Sequence, residues 1–347
     1  MNWDKKIIVC GNATMDEIIG VPGKQYDFGA VTGYMKLLGE FVPPGLLVPV
    51  VNVGSDKYGN EVMKEYKKLG LDMSRVRQIK RAKSRVNRIT RLPNQKLEFE
   101  RISEGKRLQQ CYPATISLEN AGMMVAQAVS ILFGPDNYRY CHKINEVLVE
   151  ANRKDVTTYW DINLRRKSRK QLYGNEIFLS QLDPVMSNMN IVQGNDGEIY
   201  ALSRRFQVGE DVFARDFPEK RLEKIAFDLC NSYSNIQKVI VTRSRFGSMI
   251  ITQDGQKISV GPLKLTDTPK SLGCGDRHLN GIMLGPVYGL TNKEALLTGS
   301  TFAAYITTKE FGYPDLTKEK FFDIVKSHKD YYTSHGLNVD EFLSKFD

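Results

Sequence analysis

Short apolar runs alternate with amphipathic segments over most of the chain. The runs are rich in Val and Ile, and several end at Gly, Asp or Asn, which is typical of buried parallel strands. They span Ile7 to Cys10, Leu47 to Val53, Ser130 to Phe133, Val156 to Asp161, Ile191 to Val192, Val239 to Thr242 and Met249 to Thr252. Between them, the spacing of apolar residues predicts helices over Glu61 to Leu69, Leu118 to Ala128, Lys143 to Asn152, Arg221 to Tyr233 and Asn292 to Phe311. This alternation predicts an α/β protein, with a mostly parallel sheet and helices on both faces.

Two stretches do not follow this alternation. Residues Ser84 to Leu92 and Lys96 to Ile102 alternate apolar and polar side chains around Pro93-Asn94-Gln95, which predicts a β-hairpin. Residues 20–46 are rich in Gly and Pro. Because there is no internal repeat or linker, we expect a single domain over residues 1–347. On the residues alone, the hairpin can be an edge hairpin without a functional role.

The composition is that of an ordinary globular protein. Hydrophobic residues make up 41% of the 347 residues and charged residues 26%. No apolar run approaches the ~20 residues that a membrane-spanning helix needs, and the N-terminus runs into a strand without a signal-peptide pattern. The five cysteines are scattered and lack metal-binding spacing, which is typical of a reducing compartment. We therefore expect a cytoplasmic protein with no membrane partner.

The formal charge of +9 is the one unusual bulk property. Basic clusters occur at Arg75 to Arg85 and at Arg165 to Lys170. No zinc-finger, RNP-type or helix-turn-helix pattern accompanies them, so we do not expect a nucleic-acid partner. A basic surface around a site for phosphorylated small molecules accounts for the charge equally well.

A turn of small residues, Gly273-Cys274-Gly275, comes directly before Asp276 and an apolar run that predicts a buried helix. Free amides at a helix N-terminus bind anionic oxygens. A carboxylate at the same point would repel such an anion, but it can act as a base while the amides stabilise a transferring phosphoryl group. The competing interpretation is an ordinary Asp at the start of a helix.

Other polar residues follow strand ends, where ligands of α/β sheets bind. Asp16 comes after the first strand and a short turn, and its carboxylate can accept bonds from a polyol or simply stabilise the turn. Asn195 and Glu198, three residues apart, suit magnesium held through water, or else a helix start with Glu in the first turn. Thr242 and Gly247 offer a hydroxyl and a close backbone approach to phosphates, or else belong to a hairpin.

The segment Gly273 to Asp276 resembles the Gly-Ala-Gly-Asp signature of the PfkB (ribokinase-like) carbohydrate and nucleoside kinases. Further stretches are similar to that family in the same order, across roughly residues 5 to 315. They are Ile7 to Ile18, Gly54 to Gly59, Asp161 to Arg165, Asn195 to Glu198 and Val239 to Gly247.

The resemblance implies a ribokinase-like fold with a small β lid built from residues about 20–46 and 84–104, which in that family is sometimes shared in a homodimer. It also implies transfer of the γ-phosphoryl group of ATP to a small sugar or sugar acid, with Mg²⁺ as cofactor. At the matching positions, the resemblance implies Asp276 as general base, with Gly273, Cys274 and Gly275 as amide donors. It implies that Asn195 and Glu198 bind magnesium through water, and that Thr242, Ser244 and Gly247 lie near the nucleotide. The residues that it implies around the acceptor are Asp16, Asn12, Gly29, Asn163 and Arg165.

The chain also departs from the family pattern. Lys270-Ser271-Leu272 replaces the usual Asp-Thr-Thr before the signature, which puts activation by a monovalent cation in doubt. The usual Gly-Gly pair that contacts the sugar is reduced to Phe28 to Tyr34, and Ser244 stands where the nucleotide loop usually has Gly. The identity of the acceptor therefore does not carry over. A nucleoside kinase, or a kinase-like binding or regulatory protein without turnover, remains an alternative.

Overall fold

Two β-sheets and the helices around them are seen in the computed structural model of the chain. It describes residues 3–11, 13–19, 25–91, 97–103, 116–126, 138–162, 183–203, 217–267, 273–308 and 316–347. The strands are β1 (Lys6–Cys10), β2 (Ala13–Ile19), β3 (Gln25–Gly29), β4 (Leu47–Gly54), β5 (Val76–Ile79), β6 (Arg85–Arg91), β7 (Leu97–Ser103), β8 (Ala121–Ala126), β9 (Thr157–Asp161), β10 (Ile191–Asn195), β11 (Lys238–Thr242), β12 (Ser248–Thr252) and β13 (Lys257–Val260).

The helices alternate with these strands. They are α1 (Ala30–Leu38), α2 (Lys57–Lys68), α3 (Tyr138–Arg153), α4 (Asp196–Ala201), α5 (Glu219–Ser232), α6 (Cys274–Tyr288), α7 (Asn292–Ile306), α8 (Lys318–Ser327), α9 (Lys329–Ser334) and α10 (Val339–Ser344). A further helical turn spans residues 183–186, and 3₁₀ turns span Pro44–Leu46, Met73–Arg75 and Ser244–Phe246. Among the described helices, none is both long and apolar enough to cross a bilayer.

The large sheet has nine strands in the order β13-β12-β11-β10-β9-β8-β1-β4-β5. All neighbours from β11 to β5 pair in parallel, and β12 and β13 are antiparallel additions at one edge. Each central strand is buried on both faces: along β1, Ile8 and Cys10 join one core cluster, and Ile7 and Val9 join the other. The predicted α/β class with a mostly parallel sheet is therefore confirmed.

Helices cover both faces of this sheet. The cluster with Ile8 includes Leu148 of α3 and Leu222 of α5. The cluster with Ile7 includes Leu279 of α6 and residues of α1, α2, α7 and the C-terminal helices. Helix α6, which begins at the Gly-Cys-Gly-Asp segment, is therefore packed on the sheet and is not a surface helix.

The predicted helix over Leu118 to Ala128 is wrong, because the centre of this segment is strand β8, hydrogen-bonded between β1 and β9. Met124 is buried in one core cluster, and Met123 and Val125 are buried in the other. A short run that is apolar on both sides has no periodicity by which a strand can be told from a helix. The strand predicted over Ser130 to Phe133 lies outside the described residues.

The second sheet has four strands in the order β3-β2-β6-β7. Strands β6 and β7 pair antiparallel, which confirms the predicted hairpin, while its turn at residues 92–96 lies outside the described part. The lid boundaries at residues 20–46 need correction: β3 belongs to this sheet, but α1 packs in the main core. Strand β2, which was not predicted from the sequence, also belongs to this sheet, because the chain leaves the large sheet after Cys10.

Asp56 connects the two sheets. Its carboxylate caps α2 by accepting the Gly59 amide at 3.0 Å, and it also accepts the Ser84 amide at 2.8 Å and the Ser84 hydroxyl at 2.6 Å. Ser84 directly precedes β6, so one side chain holds the start of that strand against the start of a helix of the main body. The start of β6 is thereby held beside the carboxyl end of β4, which ends at Gly54.

Candidate active site

The N-terminus of α6 carries the positive end of the helix dipole. Gly273 is the N-cap in a left-handed conformation (φ 75°), which favours glycine, and the first helical bond runs from the Arg277 amide to the Gly273 carbonyl at 3.1 Å. The helix provides no acceptor for the amides that precede Arg277. A Cβ placed on Gly275 would meet no atom of the described residues within 4 Å. The arrangement suits an anionic group, as the sequence predicted.

Three carboxyl groups lie together beside this helix end. Asp276 is in the first turn of α6, and Asp161 ends β9 with 4% of its surface exposed. Burial, the charges of Asp276 and Glu198, and a hydrogen bond with Asp276 raise the pKa of Asp161 well above its ordinary value, although Tyr34 donates to its Oδ2 at 3.0 Å. Asp161 therefore holds a proton more readily than an ordinary aspartate. The sequence included Asp161 in a family-like stretch but assigned it no role.

Asn195 and Glu198 form a reciprocal capping box at the start of α4. Asn195 Oδ1 accepts the Glu198 amide at 2.9 Å, and Glu198 Oε2 accepts the Asn195 amide at 2.7 Å. The structural alternative to magnesium binding is thus present, and the charge of Glu198 also contributes to the raised pKa of Asp161. Among the described residues, no three His, Cys, Asp or Glu side chains are grouped to enclose a metal ion. The donors fit a Mg²⁺ ion that keeps most of its waters and phosphate ligands, because such an ion needs few carboxylates.

The loop after β11 carries the predicted nucleotide-contacting residues. Thr242 ends the strand opposite Asn195 in the parallel register. Gly247 has φ 80°, and a Cβ there would lie 2.0 Å from the Val260 carbonyl oxygen, so packing within the protein already requires glycine. Ser244, which stands where the family usually has Gly, has φ 47°, in the left-handed region. Serine thus occupies a conformation that strains most side chains.

Asp16 lies within β2 of the second sheet, not just past the end of β1 as its sequence position suggested. It is 6% exposed, and its Oδ1 accepts the Asn87 Nδ2–H at 2.8 Å across the paired strands. A Cβ on Gly29, the N-cap of α1, would lie 2.7 Å from Asp16 Oδ2 and 2.4 Å from Thr14 Oγ1. Only a glycine permits the helix to approach the carboxylate so closely.

Helix α1 connects Asp16 to the residues around Asp276. Gly29 touches Asp16, and one turn further a Cβ on Gly33 would lie 2.8 Å from Arg277 Nη2. Tyr34, the next residue, donates to Asp161. The reduced Gly-Gly region of the sequence therefore keeps two glycines that make close contacts. Arg277 and His278, which follow Asp276 in α6, are both buried.

The structure thus brings Asp276, Asp161 and Glu198 together and links them through α1 to Asp16 and Gly29. Asn12, Asn163 and Arg165, predicted around the acceptor, lie outside the described residues, as do Lys270 to Leu272.

A family model for pfkB family carbohydrate kinases matches residues 48–318 of the chain. A search of curated proteins finds no match.

Several solved structures share the fold. Arabidopsis thaliana ribokinase, complexed with ribose and ATP, aligns with a TM-score of 0.71 at 15% identity, covering 93% of this chain and 99% of that one. Burkholderia thailandensis nucleoside kinase, in complex with inosine, aligns with a TM-score of 0.67 at 16% identity, covering 94% and 97%. A candidate ribokinase II from E. coli, bound to ATP and Mg²⁺, aligns with a TM-score of 0.73 at 15% identity, covering 93% and 100%.

Proposed function

The chain belongs to the pfkB family of carbohydrate kinases, and on that basis we propose that it transfers the γ-phosphoryl group of ATP to a hydroxyl of a small sugar or sugar acid. The observation that carries this proposal is the pairing of Asp276 with the open N-terminus of α6. A base and an amide-lined anion site occur within one helical turn, and no side chain of the described residues lies within 4 Å of a Cβ placed on Gly275.

Asp276 is the proposed general base, which accepts the proton of the attacking hydroxyl. The amides at Gly273, Cys274 and Gly275 stabilise the charge on the transferring group, in a reaction that depends on positioning and electrostatics. Asp161, protonated more readily than an ordinary carboxyl group, bonds with Asp276 and so helps to orient it. Thr242, Ser244 and Gly247 lie beside the proposed nucleotide position.

Asn195 and Glu198 would hold magnesium through its waters. The ion supplies neutralisation of phosphate charge when it is bound. Glu198 is buried, and its carboxylate is oriented by the Asn195 amide, so its position is determined before any ligand arrives.

Asp16 is the proposed acceptor ligand. The face of the second sheet that carries it also carries Thr14, Arg85 and Asn87, all nearly buried, and Gly29 of α1 contacts this face. Polar side chains of this kind suit the hydroxyls of a sugar, and the guanidinium group of Arg85 suits the carboxylate of a sugar acid. This face supports a sugar or sugar acid more than the base of a nucleoside.

A phosphoryl-transfer assay tests the proposal. The purified protein is incubated with Mg²⁺–ATP and a panel of pentoses, hexoses, sugar acids and nucleosides, and ADP and the phosphorylated product are both quantified. We expect turnover with a sugar or sugar acid and a loss of ~10²-fold or more in Asp276→Asn with ATP affinity retained. Turnover with nucleosides alone would show that the acceptor is a nucleoside and not a sugar or sugar acid. ATP binding without transfer to any acceptor would favour a regulatory protein.

A further inference from the structure

A chain of buried polar side chains runs from the centre of the protein to the first turn of α6. Gln193 Nε2 donates to the Gly275 carbonyl oxygen at 2.9 Å, and Gln193 Oε1 lies 2.9 Å from His278 Nδ1. His278 Nε2 lies 2.9 Å from Ser248 Oγ. Gln193, His278 and Ser248 are each at most 3% exposed, so the chain is shielded from water.

The direction of each of these hydrogen bonds follows from the Gly275 carbonyl oxygen at one end of the series. A carbonyl oxygen only accepts, so the amide nitrogen of Gln193 faces Gly275 and the amide oxygen faces His278. His278 must then donate from Nδ1 and accept at Nε2 from the Ser248 hydroxyl. Burial lowers the pKa of His278 to about 3, so the ring stays neutral and keeps this one tautomer.

This series of hydrogen bonds controls the orientation of a peptide group in the anion site. The Gly275 carbonyl and the Asp276 amide belong to the same planar trans peptide group and point in opposite directions. Holding the carbonyl from inside the protein therefore directs the Asp276 amide toward the open end of α6. The elements involved are distant in sequence: Gln193 is on β10 and lies 82 residues before Gly275.

We propose that Gln193 and His278 are positioning residues that orient the 275–276 peptide group toward the transferring phosphoryl group. The inference rests on the proposed kinase function. The two residues touch neither ATP nor the acceptor in this account, and they act through the backbone that carries the anion site. Ser248 acts one step further away, by setting the tautomer of His278.

The first test compares turnover with binding. Gln193→Met keeps the length of the side chain but loses both hydrogen bonds, and Ser248→Ala leaves the bond from Gln193 to Gly275 in place. For Gln193→Met we expect kcat to fall ~10- to 100-fold, with KM for ATP and for the acceptor used changing much less, because misorientation affects the transition state most. Ser248→Ala should lose less than Gln193→Met.

A matched control separates positioning from general destabilisation. Thr301→Val removes a buried hydroxyl of α7 that donates to the Leu297 carbonyl at 2.8 Å, away from the anion site. At a comparable loss of melting temperature it should keep the parental kcat. Parental kcat in Gln193→Met, or an equal loss in Thr301→Val, would overturn the proposal. If Gln193→Met does not fold, His278→Gln is measured in the same way.

The second test does not depend on turnover. ¹⁵N NMR of the histidine rings should show one ring with a protonated Nδ1 and a bare Nε2 that does not titrate between pH 5 and 8. That signal should be absent in His278→Gln and change in Gln193→Met. An Nε2-protonated or titrating His278 would overturn the inference. If the parent protein phosphorylates no acceptor, the proposed function fails. The NMR result still decides whether the hydrogen bonds from Gln193 through His278 to Ser248 are formed as described.

Discussion

Glu198 and Asn195 bind each other reciprocally. The Glu198 carboxylate accepts the Asn195 backbone amide at 2.7 Å, and the Asn195 side-chain oxygen accepts the Glu198 backbone amide at 2.9 Å. The same capping box recurs between Thr291 and Glu294 at the start of α7. The two boxes are alike in local geometry but differ in their surroundings, since the charge of Glu198 acts on Asp161 whereas Glu294 pairs with Lys345.

Replacing each glutamate therefore separates capping from magnesium binding. We expect Glu198→Gln to raise the Mg²⁺ concentration for half-maximal turnover by roughly 10-fold or more, because ligands that orient a hydrated ion typically contribute 10- to 100-fold. Glu294→Gln should lower the melting temperature without shifting the Mg²⁺ curve. Kinetics at varied Mg²⁺ and fixed ATP make the measurement, and an unchanged curve for Glu198→Gln would assign that residue to helix capping alone.

Gly275→Ala should separate stability from activity. Alanine in the first turn of α6 stabilises a helix by roughly 0.5–1 kcal/mol relative to glycine, and its Cβ would meet no atom within 4 Å. The same Cβ would stand in the space proposed for the transferring phosphoryl group, so turnover should fall by ~10-fold or more.

The control for this substitution lies in the same helix. A Cβ on Gly285 would make an ordinary contact of 3.4 Å with the Ala295 Cβ. Gly285→Ala should therefore stabilise the fold and keep the parental kcat. Thermal melts and steady-state rates of both variants suffice, and a fully active Gly275→Ala would show that the anion is bound elsewhere.

Asp16→Ala tests the acceptor site. Loss of a buried, charge-assisted contact should weaken acceptor binding by roughly 30- to 150-fold, or about 2–3 kcal/mol, and leave nucleotide affinity unchanged. Glu17→Ala is the matched control, since Glu17 is the next residue of β2, is 2% exposed and pairs with Arg88 at 3.0 Å. Glu17→Ala should lose stability but bind the acceptor normally once folded. Equal acceptor affinities in the two variants, measured by titration beside their melting curves, would remove Asp16 from the site.

Asp161→Asn should change how stability depends on pH. The raised pKa of Asp161 in the folded protein means that its contribution to stability is fully present below the pKa of the unfolded chain, ~3.9, and is lost as the pH rises through the folded pKa. Asparagine does not titrate, so the melting temperature of the variant relative to the parent should rise between pH 5 and pH 8. Asp228→Asn, on the exposed side of α5, controls for the loss of one negative charge. A difference that stays constant with pH would contradict the prediction.

The sequence predicted those parts of the fold and site that depend on local patterns. The parallel strands, the hairpin and the start of α6 are each specified by runs of apolar residues or by turn residues within a few positions. Strand β8 was missed because Met123 to Val125 are buried on both faces, which removes periodicity. Asp16 was placed just past β1, whereas it lies within β2 of the second sheet, because the change from β1 to β2 after Cys10 depends on which strands pair.

The contacts that organise the site were not visible in the sequence because they are made between distant segments. Gln193 and Gly275 are on different elements, and no periodicity relates them. The close approaches of Gly29 to Asp16 and of Gly33 to Arg277 are likewise tertiary contacts. Gly29 and Gly33 themselves were the available signal, because glycine allows a backbone to come close to another group.

The strand order of the large sheet also affects how the protein is made on the ribosome. Strands β1, β4, β5 and β8, together with the whole second sheet, come from residues before 127, whereas α6 begins only at Cys274. Folding of large chains proceeds from the N-terminus during synthesis. A nascent chain can therefore assemble the strands that carry Asp16 long before the helix that carries Asp276 has been translated. Leu279 of α6 packs in the same core cluster as Ile7 of β1, so one face of these early strands stays incompletely covered until α6 has been made. The site proposed around Asp16 and Asp276 is therefore completed only at a late stage of synthesis.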